Sequence, residues 1–182
     1  MEMIEKRVSD GSILRRIRKW INIGVIDEGR LLVTEMGTGQ GQVISPLLAN
    51  IYLHDVLDEW FQQVVKPRLK GEAYEIRYAD DFILCFQFRE DAEKVVEVLH
   101  QRFAKYGLQL HPDKTRLIEF GQKALTKSER GGKKPATFDF LGFTHICKWS
   151  RRGRFMIQLR TMRKRLRRSL KALATWVSAT PS

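Results

Sequence analysis

Between residues 73 and 88 the hydrophobic period switches from helical to alternating, and two adjacent aspartates sit in the middle of the switch. Ala73 to Tyr78 and Phe82 to Phe88 are short β-rich runs, and Ala79-Asp80-Asp81 between them reads as a hairpin turn. Helical patterns flank the pair. Upstream, Ser45 as N-cap and Pro46 at the first helical position open a helix that carries Leu47, Leu48, Ile51, Tyr52, Leu57, Trp60, Phe61 and Val64 and must stop near Pro67. Downstream, Asp91 to Tyr106 is amphipathic through Ala92, Val95, Val96, Leu99 and Phe103, with Gly107 closing it. Thr115 to Phe120 follows as a strand. Helices and hairpins in this order predict an α+β fold, an antiparallel sheet with helices on one face, and most of a split βαβ, ferredoxin-like arrangement.

The rest of the chain extends this frame. Gly11-Ser12 opens a helix through Ile13, Leu14, Ile17, Trp20 and Ile21. Asp27-Glu28-Gly29 reads as a turn before a strand over Arg30 to Met36, and Gly37 to Gln42 is a loop with three glycines. Residues 121–136 read as a polar loop. Phe138 to Phe143 and Phe155 to Leu159 are strands, with Arg151-Arg152-Gly153 as the turn between them.

Charge divides the chain sharply. Residues 1–139 hold 22 Lys and Arg against 21 acids, whereas residues 140–182 hold 11 Lys and Arg and no acid. Nearly all of the net +12 therefore lies in the last quarter, which suits a polyanion. Nucleic acid is the first candidate, an anionic membrane surface the competitor. Met162, Leu166, Leu170, Leu173 and Val177 form an apolar stripe at helical spacing, beside Arg160, Arg163, Lys164, Arg167, Arg168 and Lys171. The pattern predicts a helix that packs on protein through the stripe and follows a phosphate backbone with the cations. No apolar run approaches the roughly 20 residues that span a bilayer. The charged N-terminus lacks a secretory h-region, and Cys85 and Cys147 are isolated, so a reducing cytoplasm is expected and a membrane partner is not.

Asp80 and Asp81 carry the chemistry. Acids in a turn are commonly just solvated. Flanked by apolar strands, however, two neighbouring carboxylates repel unless a cation sits on them. Mg²⁺ suits them, because it takes one or two carboxylates and completes its shell with water and phosphates. Such a site serves two-metal phosphoryl transfer. His54 and His111 have no second His or Cys at ligand spacing and are assigned no metal.

Tyr78-Ala79-Asp80-Asp81 resembles the Tyr-X-Asp-Asp box of reverse transcriptases. Gly37 to Leu53, with Gln40-Gly41 and Ser45-Pro46-Leu47-Leu48-Ala49-Asn50, resembles a block of group II intron reverse transcriptases/maturases. Gly107 to Thr115 and Phe138 to Phe143 resemble the two blocks that follow in that family, in order. The resemblance implies a polymerase palm, residues 1–145, followed by a basic hairpin and the start of a thumb, residues 146–182. It implies that Asp80 and Asp81 are catalytic, metal-binding carboxylates. Gln40, Gly41 and Lys114 would face the nucleotide and template, Leu141 and Gly142 would support the primer, and the basic helix would lie on nucleic acid. The implied partners are an RNA template, a DNA primer, dNTPs and intron RNA.

Two departures qualify this. The family has Pro-Gln-Gly-Gly or a near variant where this chain has Gly39-Gln40-Gly41-Gln42, which loosens the loop. The family also carries a third catalytic Asp on an earlier strand. Asp10 before a helix, Asp27 in a turn, and Asp55 and Asp58 on the helix after Pro46, facing the wrong element, do not replace it. The isolated chain is therefore expected to polymerise weakly or not at all, and its sheet to keep an uncovered edge and apolar surface. Beside a reverse transcriptase domain of a group II intron maturase stand a non-enzymatic RNA-binding remnant and, from the paired acids alone, a nucleotide cyclase. The cyclase leaves the basic C-terminus without a role.

Overall fold

The computed structural model describes residues 1–22, 25–27, 30–32 and 44–179, without the side chains of 22, 25–27, 30–32 and 179. The chain falls into two units, Met1–Thr115 and Arg116–Ser182.

The first unit begins with α1 (Glu2–Glu5) and α2 (Gly11–Asn22). Asp10 caps α2: its Oδ1 accepts the Ser12 N–H at 2.7 Å, the Ser12 hydroxyl at 2.7 Å and the Ile13 N–H at 3.3 Å. β1 (Val25–Asp27) pairs antiparallel with β2 (Arg30–Leu32), Asp27 opposite Arg30. Asp27 thus ends a strand instead of sitting in a turn, a correction to the sequence reading. The expected strand is described only to Leu32, and the glycine loop with Gln40 and Gly41 lies outside the described residues.

α3 (Ser45–Leu53) has Pro46 in its first turn. Ile44, not Ser45, takes the cap position, because the residue before Pro46 is already helical. The helix runs on through two π-helical turns, His54–Asp58 and Phe61–Val65, and a 3₁₀ turn, Lys66–Arg68; Leu69, just past Pro67, is extended at φ −82° and ψ 152°. The wide turns have a packing cause. At about 100° per residue, nine α-helical residues would put Val56 and Val65 on opposite sides. The π turns lower the rotation per residue, and Val56, Leu57, Trp60, Phe61 and Val65 are all buried in one core. Arg102 serves carbonyls of this stretch: Nε donates to Val56 O at 3.1 Å and Nη2 to Asp55 O at 3.4 Å. Its guanidinium also lies over the Trp60 and Tyr106 rings.

β3 (Ala73–Tyr78) and β4 (Asp81–Phe86) form an antiparallel hairpin registered from Ala73 opposite Phe86 to Tyr78 opposite Asp81. Side chains alternate across it. Ala73, Phe82, Leu84 and Phe86 pack toward the helical core, where α4 (Arg89–Lys105) contributes Val95, Leu99 and Phe103. Complete burial of Val56, Leu57 and Phe61 stabilises this core by about 1.5–3 kcal/mol each. The opposite face, Tyr74, Ile76 and Tyr78, is exposed, and among the described residues no further strand joins the hairpin. α4 ends as expected: Gly107 takes φ +67° and Leu108 N–H returns to Phe103 O at 2.9 Å.

The second unit departs more from expectation. Thr115–Phe120 forms no strand; β propensity gives no ladder without a partner, and Phe120 instead packs edge-on against Phe138 at 4.9 Å. The polar loop contains α5 (Gln122–Glu129), anchored by buried Ala124. The strand read over Phe138–Phe143 is cut by a two-residue turn, Leu141-Gly142, into β5 (Phe138–Phe140) and β6 (Phe143–Trp149). β6 pairs with β7 (Phe155–Thr161). α6 (Arg163–Ala179) follows, and its apolar stripe is not packed as the pattern predicts: Leu166, Leu170, Leu173 and Val177 are all exposed. No helix among the described residues is long and apolar enough to cross a membrane.

Candidate active site

The hairpin register makes Ala79-Asp80 the turn and Asp81 the first residue of β4, one residue away from the three-residue turn that the sequence suggests. Ala79 sits at φ +54°, the left-handed region that two-residue hairpin turns require and that costs a residue with a Cβ about 1 kcal/mol. By alternation Asp81 shares the outer face with Tyr78, its cross-strand neighbour. Both aspartates are exposed rather than held at a buried tip. Among the described residues, neither carboxylate receives a hydrogen bond or an ion pair.

The inner face of the hairpin explains what holds the turn. Glu75 and Arg77 point inward from β3, where a strand packed on a core would be apolar. Arg77, with its side chain 14% exposed, reaches three elements. Nε and Nη2 grip Asp58 Oδ1 and Oδ2 as a fork, each at 2.6 Å. Nη1 donates to Asn50 Oδ1 at 2.8 Å and to the Ala79 carbonyl at 2.9 Å. One guanidinium thus joins α3, the first π turn and the aspartate-bearing turn.

The neighbouring acids are tuned by this arrangement. Burial pushes the Asp58 carboxyl up, but hydrogen bonds from Arg77 and His54 outweigh it and hold the group below the usual carboxylate range. Glu75 moves the other way: burial, then the Asp58 charge, raise it to about 7. A protonated Glu75 can hydrogen-bond Asp58, while its Oε1 is buried without a partner. Asp58 therefore does face the hairpin, contrary to the sequence reading, but it is spent on Arg77. Asp55 is buried against Arg7 Nη1 at 3.0 Å.

The donor set fits a hard divalent ion. Among the described residues, Asp80 and Asp81 offer oxygen ligands with no protein cation on them, which matches the one or two carboxylates that Mg²⁺ accepts. Among the described residues no three His, Cys, Asp or Glu side chains converge on a common point, so water and phosphate oxygens would have to fill the remaining positions.

The other expected site residues are scattered through the fold. Lys114 lies exposed in the turn after α4, its N–H bonded to His111 O at 3.2 Å. In the second unit, Leu141 and Gly142 form the β5–β6 turn at φ +51° and +84°. The Gly142 carbonyl accepts the Met162 N–H at 3.1 Å, and a Cβ on Gly142 would collide with the Arg165 guanidinium. Arg160 belongs to β7 rather than to the helix, pairing opposite Thr144. Arg163, Lys164, Arg167, Arg168 and Lys171 share one side of α6 and are exposed. Sequence reasoning missed Arg77 and Asn50. The available signal was the alternation Ala73-x-Glu75-x-Arg77 opposite Phe82, Leu84 and Phe86, which buries an Arg that then needs an acid.

Comparison with known proteins adds a family. The reverse transcriptase (RNA-dependent DNA polymerase) family matches residues 6–145. Protein YkfC of Escherichia coli is 28% identical over 173 residues, 73% of this chain and 44% of that protein. Group II intron-encoded protein LtrA of Lactococcus lactis is 37% identical over 62 residues, 34% of this chain and 10% of that protein. An uncharacterized 91 kDa protein in the cob intron of Schizosaccharomyces pombe is 39% identical over 62 residues, 34% of this chain and 8% of that protein. The matched region is less than half the length of each of these relatives.

Proposed function

Because the chain belongs to the reverse transcriptase (RNA-dependent DNA polymerase) family, we propose that its β3–β4 hairpin is the carboxylate-bearing element of a nucleotidyl-transfer site of the group II intron maturase type. The observation that carries this reading is the pair of exposed carboxylates, without a hydrogen bond or ion pair among the described residues, at a turn pinned from behind by Arg77. Residues 1–145 are read as part of a ferredoxin-like polymerase palm, and residues 146–182 as a basic hairpin and the start of a thumb.

Asp80 and Asp81 would hold Mg²⁺. When bound, the ion would supply charge neutralisation at the transferred phosphate and lower the pKa of an attacking hydroxyl. The protein's part is positional. Arg77 neutralises Asp58 and leaves the negative charge of the turn on Asp80 and Asp81 alone. The exposed outer face of β3–β4 leaves both carboxylates open to a dNTP and a primer end. Gln40, Gly41 and Lys114 are assigned to nucleotide and template, and Leu141 and Gly142 to the primer. The α6 cations, with no acid in residues 140–182 to neutralise them, are assigned to the phosphates of an RNA template or intron RNA.

Two carboxylates make a weak ion site, so the 182-residue chain should show little primer extension of its own. The absence of a third ligand among the described residues, beside the open α6 cations, favours a second reading in which the chain binds RNA without catalysis. RNA affinity and dNTP binding, measured with and without Mg²⁺, separate the two. On the polymerase reading, Asp80→Asn with Asp81→Asn abolishes Mg²⁺-dependent dNTP binding and leaves RNA affinity unchanged. On the second reading, no Mg²⁺-dependent dNTP binding is found at all. In both, five α6 cations should give a log–log salt slope for RNA affinity of about −4. Robust extension by the purified chain would overturn the expectation of weak activity.

A further inference from the structure

We propose that Arg77 is the positioning residue of the aspartate turn, holding the Ala79 carbonyl in place from the two fixed anchors Asn50 and Asp58. The proposal rests on the reading of Asp80 and Asp81 as ion ligands, and it gives a task to a partly buried cation that this reading alone leaves unexplained.

A left-handed Ala79 is held against its own preference and needs an outside restraint. The Ala79 carbonyl is the atom through which a neighbour can hold the turn without touching either carboxylate. Arg77 Nη1 donates to it at 2.9 Å. A guanidinium can do this only if its plane is set by other bonds, and the Asp58 fork at 2.6 Å on both oxygens sets it. The Asn50 Oδ1, at 2.8 Å from the same Nη1, fixes the edge of the plane nearest the turn. Asn50 is exposed on α3 and Asp58 lies in the first π turn, so the turn is referred to two places on one continuous helix. Lysine at position 77 could keep the charge and one bond to Asp58, but could not also span to Ala79 and Asn50.

This assignment separates two tasks. Asp80 and Asp81 meet the ion, while Arg77 acts only through the backbone between them and the core. A purely structural role for Arg77 would loosen the whole first unit; a positioning role loosens the turn first.

Amide hydrogen exchange on the 182-residue chain, read at residues 79–81, tests the proposal alongside Mn²⁺ titration as a probe of the carboxylates. The variants are Arg77→Lys and, as the milder change at an exposed helical position, Asn50→Ala. In Arg77→Lys, exchange at residues 79–81 should rise about tenfold while exchange in the α4 core segment stays as in the unaltered chain. Mn²⁺ affinity should fall about tenfold. Asn50→Ala should move both in the same direction by about threefold. Unchanged exchange at 79–81 in both variants overturns the proposal, as does a rise spread equally over α4. If the unaltered chain binds no Mn²⁺, or binds it equally after Asp80→Asn and Asp81→Asn, the ion-site reading fails, and the exchange data still decide what Arg77 does.

Discussion

Among the described residues, two tight hairpin turns share one backbone problem and solve it in opposite ways. At Ala79-Asp80 and at Leu141-Gly142 the first residue is a non-glycine with positive φ, +54° and +51°. In the β3–β4 turn the restraint comes from a side chain: Arg77, itself pinned by Asp58 and Asn50, holds the Ala79 carbonyl. In the β5–β6 turn the second residue is Gly142 at φ +84°, the backbone supplies the bend, and Arg165 lies over the space that a side chain would fill. The first solution frees both neighbouring carboxylates; the second leaves no titratable group in the turn. The difference shows how a fold can restrain a turn without spending the turn's own carboxylates on the task.

The charges follow the same division. In the first unit Arg7, Arg18, Lys70, Arg77 and Arg89 all find acids. Residues 140–182 hold 11 cations and no acid, and the apolar stripe of α6 is as exposed as its cations. These first-unit cations sit on acids of their own unit, whereas the cations of residues 140–182 have no acid within their own stretch of chain.

The comparison can be broken by removing the anchor. Asp58→Ala leaves Arg77 largely buried without its counter-ion, and should cost about 3 kcal/mol in a denaturant titration. A cost below about 1 kcal/mol would mean that the fork is dispensable. A smaller effect tests the other turn. Gly142→Ala places a Cβ at φ +84° against Arg165 and should cost about 1–2 kcal/mol, with near-neutral behaviour showing that the backbone is not the restraint there.

The mildest test uses pH. Glu75 titrates at about 7 in the folded chain against an ordinary 4.5, so the folded state holds this proton more tightly than the unfolded one. Below about pH 4.5 both states are protonated and the contribution is full; it is lost as pH rises through about 7. Glu75→Gln, which can still donate to Asp58, should match the unaltered chain in thermal midpoint at about pH 4 and exceed it by a few degrees at about pH 8. A midpoint difference independent of pH would show that Glu75 is not held protonated.

Much of the first unit was legible because local and long-range signals agree there. The stripe Ala92, Val95, Leu99 and Phe103, the stop at Pro67 and the alternation around Asp80 all survive in the structure. The second unit was legible in composition rather than in elements. Gly131, Gly132 and Lys133 pointed to a loop and concealed α5, whose single buried anchor, Ala124, gives almost no periodic signal. Gly142 read as a strand residue until its positive φ showed a turn, which hid most of β6. The α6 stripe marks one side of a helix, but periodicity carries no information about whether another element covers it. Within the site, the aspartates were visible as a motif. Arg77 was not, since its role depends on Asp58 and Asn50, 19 and 27 residues away.

The most direct measurement is an NMR titration of the isotope-labelled chain with Mn²⁺, followed by displacement with Mg²⁺. The account predicts paramagnetic broadening centred on residues 79–82, reversed by Mg²⁺ and absent after Asp80→Asn with Asp81→Asn. Broadening centred elsewhere, or unchanged by loss of both carboxylates, would contradict it.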